Sequence, residues 1–467
     1  MDAQPVTAQD KTAADSRAAK NRDAFTTSLG VIAATLGSAI GLGNIWKFPS
    51  LTGTNGGAAF IIVYLLSTLL VGLPVMISEL MLGRKARANA VTTMQKLAPG
   101  RAPWWLIGAF GALAAFLIMA FYTEVAGWVF AYVFKAASGS ILTTNPEQTG
   151  AAFTSLITDP TQSLIWQWIV LAVVGLIIAL GVSKGIEAVT KRLMPILFGI
   201  LVIVCIRSLT LPGAIDGLAF MFKPDFSKVT AAVVLTAMGL SFFKLSVGMG
   251  TMITYGSYFR DDQNIPMTAL RVMLADLSVS ILAGVAIFPA VFAFGFKPDA
   301  GASLLFITIP AVFASMPLGG VFMVLFFVLA AIATIGAMLS LLEVPVAFLA
   351  ERTHMSRKVA TLLTVVLLAV IGSAAALSNS TLANFKLFGM VPFDLFDYAT
   401  SNILLPVGGF FIAVFVGWTW GFDQVKQALT NEGLLRNERI IKVFFGLIKF
   451  VTPLLVFVVL LSQLKLI

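Results

Sequence analysis

The chain has 467 residues, 58% of them hydrophobic and only 11% charged. Soluble proteins carry roughly a quarter charged residues, so a soluble globular domain is excluded. The 31 Lys and Arg against 22 Asp and Glu leave a net charge of +9. That excess falls in short alternate loops, which is the positive-inside pattern of a membrane protein and not a nucleic-acid footprint.

Residues 1–22 are polar, rich in Ala, Asp and Lys, and lack the apolar core of a signal peptide. They read as a disordered cytoplasmic tail, ahead of a single domain over 23–467. Crossing a bilayer takes roughly 20 apolar residues. About eleven such stretches follow one another: 25–50, 57–83, 104–137, 164–182, 190–209, 229–257, 266–295, 317–350, 358–377, 397–420 and 440–464. Basic residues collect after the second span (Arg84, Lys85, Arg87, Lys96, Arg101), the fourth (Lys184, Lys191, Arg192) and the sixth (Arg260). More follow the eighth (Arg352, Arg357, Lys358) and the tenth (Lys426, Arg436, Arg439). This spacing predicts a cytoplasmic N-terminus, and an odd number of spans puts the C-terminus outside.

Two spans differ from the rest. The first, GVIAATLGSAIGLGNIWKFP, crowds Gly30, Gly37, Gly41 and Gly43 into its middle and carries Pro49 at its outer end. The sixth, TAMGLSFFKLSVGMGTMITYGSY, places Gly239, Gly248 and Gly250 around a polar centre. Glycine weakens a helix by about 1 kcal/mol per residue, so both are candidates for unwinding at membrane depth. They lie five spans apart, as the binding site of an inverted-repeat transporter requires. Close helix packing through small residues is the competing reading of either one alone.

Ionisable residues at membrane depth usually mark function. Here they are Glu79, Glu124, Lys244, Asp276 and Glu343. Lys244 stands out because it lies inside the proposed break of the sixth span, with Asp276 and Glu79 as the most plausible counter-charges. The one cysteine, Cys205, excludes a disulfide within the chain. The one histidine, His354, lies in a basic loop, so there is no HExxH metal site and no histidine base for a nucleophile. An enzyme is not expected.

GSAIGLGNIWKFP (Gly37 to Pro49) with TNGGAAF (Thr54 to Phe60) resembles the first-span signature of the neurotransmitter:sodium symporter family. FFKLSVGMGTMITYGSY (Phe242 to Tyr258), FYTEVAGW (Phe121 to Trp128) and SLLEVPVAF (Ser340 to Phe348) are similar to further motifs of that family. The resemblance implies an all-α polytopic membrane protein of LeuT-type fold. Its two inverted five-helix repeats would span about 25–209 and 229–420, with a last helix at about 440–464. It implies a plasma-membrane (bacterial inner-membrane) carrier of a hydrophobic or small neutral amino acid, monomeric or homodimeric. The lipid bilayer is its surroundings, and neither a nucleic-acid partner nor a cofactor is expected.

Carried over position by position, the resemblance implies that Ser38, Ala39, Leu42 and Gly43 supply free backbone groups to the substrate, with amides for its carboxylate. Tyr122 would bind the same carboxylate, with Ile118 one turn away. Phe243 would lid the pocket, and Ser246, Met249, Ala337 and Leu341 would line its side-chain end, although Met249 and Leu341 also suit ordinary core packing. Lys47 with Asp397 would form the outer gate, where a lysine lacks the bidentate fork of the family's usual arginine. Arg22 with Glu351, beside Tyr258 and Phe25, would close the cytoplasmic side, and Glu79 would brace the unwound sixth span.

The ion sites depart from the family. Of the first sodium site, Ala39 and Asn44 are present, but the sixth-span threonine is Lys244. The seventh-span asparagine falls on Ala275, with Asp276 adjacent. The second site keeps the carbonyl positions Gly37, Ile40 and Ala333, yet its two hydroxyl positions read Gly336 and Ala337. Thr334 is half a turn away. Hard cations need several oxygen ligands, so both sites look disabled. Lys244 reads as a tethered cation standing in for a doubtful bound sodium. The expectation is sodium-independent transport: facilitated movement, exchange, or proton coupling through Lys244 and its carboxylate partner. The alternatives are a sodium-coupled symporter with one weakened site, or a channel or solute sensor on the same fold.

Overall fold

The computed structural model describes residues 23–100, 102–298, 304–464 and 466. The tail expected over 1–22, and Arg22 with it, lie outside the described residues. Among the described residues, nine helices are long and apolar enough to cross a membrane. They are Ala58–Ala86, Trp105–Ala137, Pro160–Ala179, Val182–Leu209, Ile265–Ala293, Gly319–Thr353, Arg357–Ala376, Pro392–Trp420 and Glu438–Gln463. A bent span precedes them: Ser28–Ala39 and Gly43–Thr54 meet at 51°. The remaining one is discontinuous, with Ala231–Lys244 stopping and Thr251–Gly256 resuming the helix. In chain order these are the first to eleventh spans, the broken ones being the first and the sixth.

Each break has a local cause. Ile40 leaves the first helix in an extended conformation, ψ 107°, and a π-helical turn over Gly43–Lys47 restarts the chain. In the sixth span Gly248 (φ 80°) and Gly250 (φ 71°) adopt left-handed backbone, which glycine takes without a Cβ penalty. Gly248 is doubly constrained: a Cβ there would come within 2.4 Å of the Leu405 carbonyl oxygen. Ser246 has no such exemption and still sits at φ 52°, a strained geometry held by its surroundings.

Some ends differ from the sequence expectation. The fourth span starts at Pro160 rather than 164 because Asp159 caps it, Oδ1 accepting from the amides of Thr161 and Gln162. The fifth opens early with a π-helical turn, Val182–Glu187.

The third and eighth spans pack along each other at the centre. The first half of the broken first span lies against the fifth, seventh and eighth, while Thr251–Gly256 packs on the second and eighth. The outer faces of the fourth, fifth, ninth and eleventh spans expose Leu176, Ile206, Val370 and Leu454, apolar surface suited to lipid. Both breaks therefore face each other inside the bundle.

Candidate functional site

Where the two breaks meet, a chamber is lined by Ser38, Ala39, Gly41, Gly43, Ile118, Tyr122, Phe243, Lys244, Ser246, Met249, Ala337 and Leu341. Its free volume is about 30 Å³, room for roughly one water. Of the residues expected at the substrate, only Leu42 is not on the wall. Its amide instead donates to the Tyr122 hydroxyl at 2.9 Å, which fixes that hydroxyl at the break. Ser246 Oγ donates to the Ser38 carbonyl at 2.8 Å, and Ser38 Oγ to Ser340 Oγ at 2.8 Å. These bonds tie the sixth span to the first, and the first to the eighth. The wall beyond them is apolar: Ile118, Met249, Ala337, Leu341 and the Phe243 ring.

The stem of Lys244 borders the chamber, its Cγ lying 3.3 Å from where a Cβ on Gly43 would stand. The ammonium is bonded elsewhere. Nζ lies 3.0 Å from Asp276 Oδ2 and donates to Ser280 Oγ. It also stands 4.9 Å and 4.8 Å from the ring centres of Phe48 and Tyr64, close enough for cation–π attraction. Asp276 accepts from Asn44 Nδ2 at 2.6 Å and from the Tyr64 hydroxyl at 3.5 Å. Asn44 Nδ2 also donates to Ser280 Oγ, and Asn44 Oδ1 accepts from the Gly41 amide. The seventh-span residue in this cluster is Asp276, while Ala275 is half-buried on another face. The register suggested by the sequence thus moves by one. Ser280, Tyr64 and Phe48 were not foreseen. Only Ser280 had a signal, since it follows Asp276 by one helical turn.

The positions that the resemblance assigns to the two cations are occupied as follows. At the first, an ammonium and its carboxylate already fill the space between Asn44 and the seventh span. At the second, Gly336 presses on the first span: a Cβ on it would lie 2.7 Å from the Gly37 carbonyl oxygen. Ala337 turns to the chamber. Ala333, at 0% exposure, is core, and Ile40 is likewise buried. Thr334 Oγ1 donates back to the Ala331 carbonyl at 2.7 Å.

The gates differ from expectation on both sides. Among the described residues no ion pair joins Lys47 to Asp397. The Lys47 ammonium stands 4.3 Å above the Phe243 ring, and Asp397 Oδ1 accepts from Ser401 Oγ at 2.7 Å. The tenth span carries Asp397 one helical turn before its own hydroxyl partner, while Lys47 points down onto the chamber lid. On the N-terminal face, Glu351 Oε2 accepts from the backbone and side-chain nitrogens of Asn89; its expected partner Arg22 is outside the described residues. Phe25 stacks edge-on against Tyr255 and Tyr258. Tyr258 donates to Glu343 Oε1 at 2.6 Å, and Arg357 grips both Glu343 oxygens. Glu79 Oε1 accepts from the Gly248 amide at 2.6 Å, in the unwound segment of the sixth span.

One contact on this face had no sequence signal. Glu187, at the start of the fifth span, accepts from the Thr26 amide at 2.7 Å, Thr26 Oγ1 at 2.8 Å and Thr27 Oγ1 at 2.9 Å. Gly30 admits the carboxylate, since a Cβ there would meet Glu187 Oε1 at 2.0 Å. The carboxylate so caps the N-terminus of the first span, where anions are favoured.

Two discontinuous helices facing a small chamber, inside an eleven-span bundle closed by side chains at either end, define a membrane transporter. The chain belongs to the sodium:neurotransmitter symporter family, whose sequence profile matches residues 22–149 and 152–467; this is a family of transporters, not enzymes. It is 39% identical over 438 residues to the uncharacterized sodium-dependent transporter YhdH of Bacillus subtilis, covering 94% of this chain and 97% of that one. A rat sodium-dependent neutral amino acid transporter, SLC6A17, is 28% identical over 318 residues, covering 62% of this chain and 43% of its own. The crystal structure of MhsT in complex with L-phenylalanine superimposes with a TM-score of 0.87 at 40% identity, covering 95% of this chain and all of that one. The fold is therefore LeuT-type, two inverted five-helix repeats and a trailing helix.

Proposed function

We propose that this chain carries a hydrophobic or small neutral amino acid across the bacterial inner membrane by alternating access and without sodium. The observation that carries the reading is the 3.0 Å pair of Lys244 and Asp276 at the position of the first cation. A fixed ammonium supplies the positive charge there and a carboxylate balances it, so an added metal ion would be an uncompensated third charge in a low-dielectric site. The Gly37–Gly336 contact supports the same conclusion for the second position. Neutral amino acids are favoured by the apolar wall, by the absence of a charged group aimed into the far end, and by what SLC6A17 and MhsT are named for.

In the proposed orientation the N-terminus is cytoplasmic, and residues 23–467 act as one domain whose repeats exchange access. The broken first span presents its amides to the substrate carboxylate, with Tyr122 beside them. The small closed chamber favours a carrier over a pore.

Counterflow of labelled L-phenylalanine into vesicles holding the purified protein tests this, with sodium replaced by choline on both sides. The expected result is equal flux in the two media. Strict loss of flux in choline would overturn it.

A further inference from the structure

Glu124 takes no part in the chamber, the gates or the cation positions, yet it lies fully buried in the third span, two residues beyond Tyr122. Oε1 accepts from Trp128 Nε1 at 2.6 Å. Oε2 has no hydrogen-bond partner. Among the described residues no Lys, Arg or His lies within ion-pair distance of it, unlike Asp276 and Glu343.

The groups packed around the carboxyl are uncharged. On the fourth span Ser163 stands beside it, with its hydroxyl turned to the Leu156 carbonyl. Gln167 reaches from that span to the neighbouring Thr123 Oγ1 at 3.2 Å, and its own Oε1 is unpartnered. Gly372 of the ninth span closes over Gln167. An ionised carboxylate served only by the Trp128 indole N–H and the Ser163 hydroxyl beside it, with no counter-charge at membrane depth, would be poorly solvated. A proton on Oε2 removes the charge and turns the orphaned oxygen into a donor, next to a span that presents an orphaned acceptor.

Glu124 is covered by an aromatic chain that reaches the broken first span. Trp128 meets Phe306 edge-on at 5.8 Å and stacks on Phe393 at 6.0 Å. Phe306 in turn meets Trp46 of the broken first span at 6.2 Å. Trp46 is thereby linked through Phe306 to Trp128, so a rearrangement of the broken first span can reach the indole over Glu124.

We propose that Glu124 is a proton-binding site beneath this aromatic lid, loaded from the outer face when the lid is open and sealed when it closes. The proton binds the closed state better than the open one, so external acid favours closure. One such proton changes the closed-to-open ratio by up to about tenfold per pH unit. The idea stands apart from the sodium-independent reading, since it concerns a different carboxyl and a different ion.

Infrared difference spectra of the full chain in lipid vesicles, taken across a pH change without substrate, test it directly. Wild type should show a protonated-carboxyl band that Glu124→Gln lacks; identical spectra in that region would overturn the proposal. In L-phenylalanine counterflow, the rate should vary with external pH in wild type and be flat in Glu124→Gln, and an unaltered profile in the variant would count against it. Should Glu124→Gln not fold, Trp128→Phe removes the indole donor and should shift the band; an unshifted band would overturn the assignment. Absence of L-phenylalanine flux in both proteins would speak against the carrier reading and leave the spectra to decide on Glu124.

Discussion

Lys244 and Asp276 stand 3.0 Å apart between the sixth and seventh spans, with side chains 0% and 1% exposed. Removing one partner of a buried pair strands the other charge and costs about 3–5 kcal/mol. Lys244→Met and Asp276→Asn should each lower thermal stability in detergent by that order. The double change Lys244→Met with Asp276→Asn removes both charges together and should recover most of the loss. A double-mutant cycle measures the coupling, and additive losses would show that the pair does not act as a unit.

The spans and both breaks are legible in the sequence because they rest on local signals: apolar length, clustered glycine, and Lys244 inside a break. The chamber wall is legible too, since the resemblance maps residues by position along single helices. The contacts between spans are less so. Asp276 and Ala275 differ by one residue and so by 100° of helix rotation, which composition cannot resolve. Phe48 and Tyr64 look like ordinary core until the fold brings their rings to Lys244. Lys47 and Asp397 carry opposite charges, but Asp397 bonds Ser401 one turn along its own helix and Lys47 lies over the Phe243 ring.

Gly336 is the second test of cation chemistry. Gly336→Thr restores a hydroxyl, but its Cβ would lie 2.7 Å from the Gly37 carbonyl oxygen. Overpacking of this kind costs about 1–3 kcal/mol. The variant should be less stable and slower in counterflow, and should gain no sodium dependence. Sodium-stimulated flux in it would show that the two helices part easily enough to admit an ion.

The Lys47–Phe243 contact predicts an asymmetric outcome at the outer gate. Cation–π attraction is worth about 0.5–2 kcal/mol, so Lys47→Ala should speed release of bound L-phenylalanine by about twofold to thirtyfold. Asp397→Asn leaves that contact in place and should change the release rate far less. Equal effects of the two substitutions would mean that an ion pair forms in another state of the cycle.

Glu187 makes the sharpest prediction for the N-terminal face. Its carboxylate receives three donors from Thr26 and Thr27, and an amide at that position keeps an acceptor for the Thr26 amide but loses the charge and turns a donor toward the threonine hydroxyls. Weakening these part-buried, charge-assisted bonds costs about 1 kcal/mol, all of it charged to the state in which the first span is docked. Glu187→Gln should therefore favour undocking. The protein has a single cysteine, so a Cys205→Ser background with Ala34→Cys reports on the first span alone. Ala34 is fully buried when that span is docked, and its labelling by a hydrophilic maleimide should be about fivefold faster, or more, in the Glu187→Gln protein. An unchanged rate would mean that the threonines cap the helix without holding it, and that closure on this face rests on Phe25 and the Tyr258–Glu343–Arg357 cluster instead.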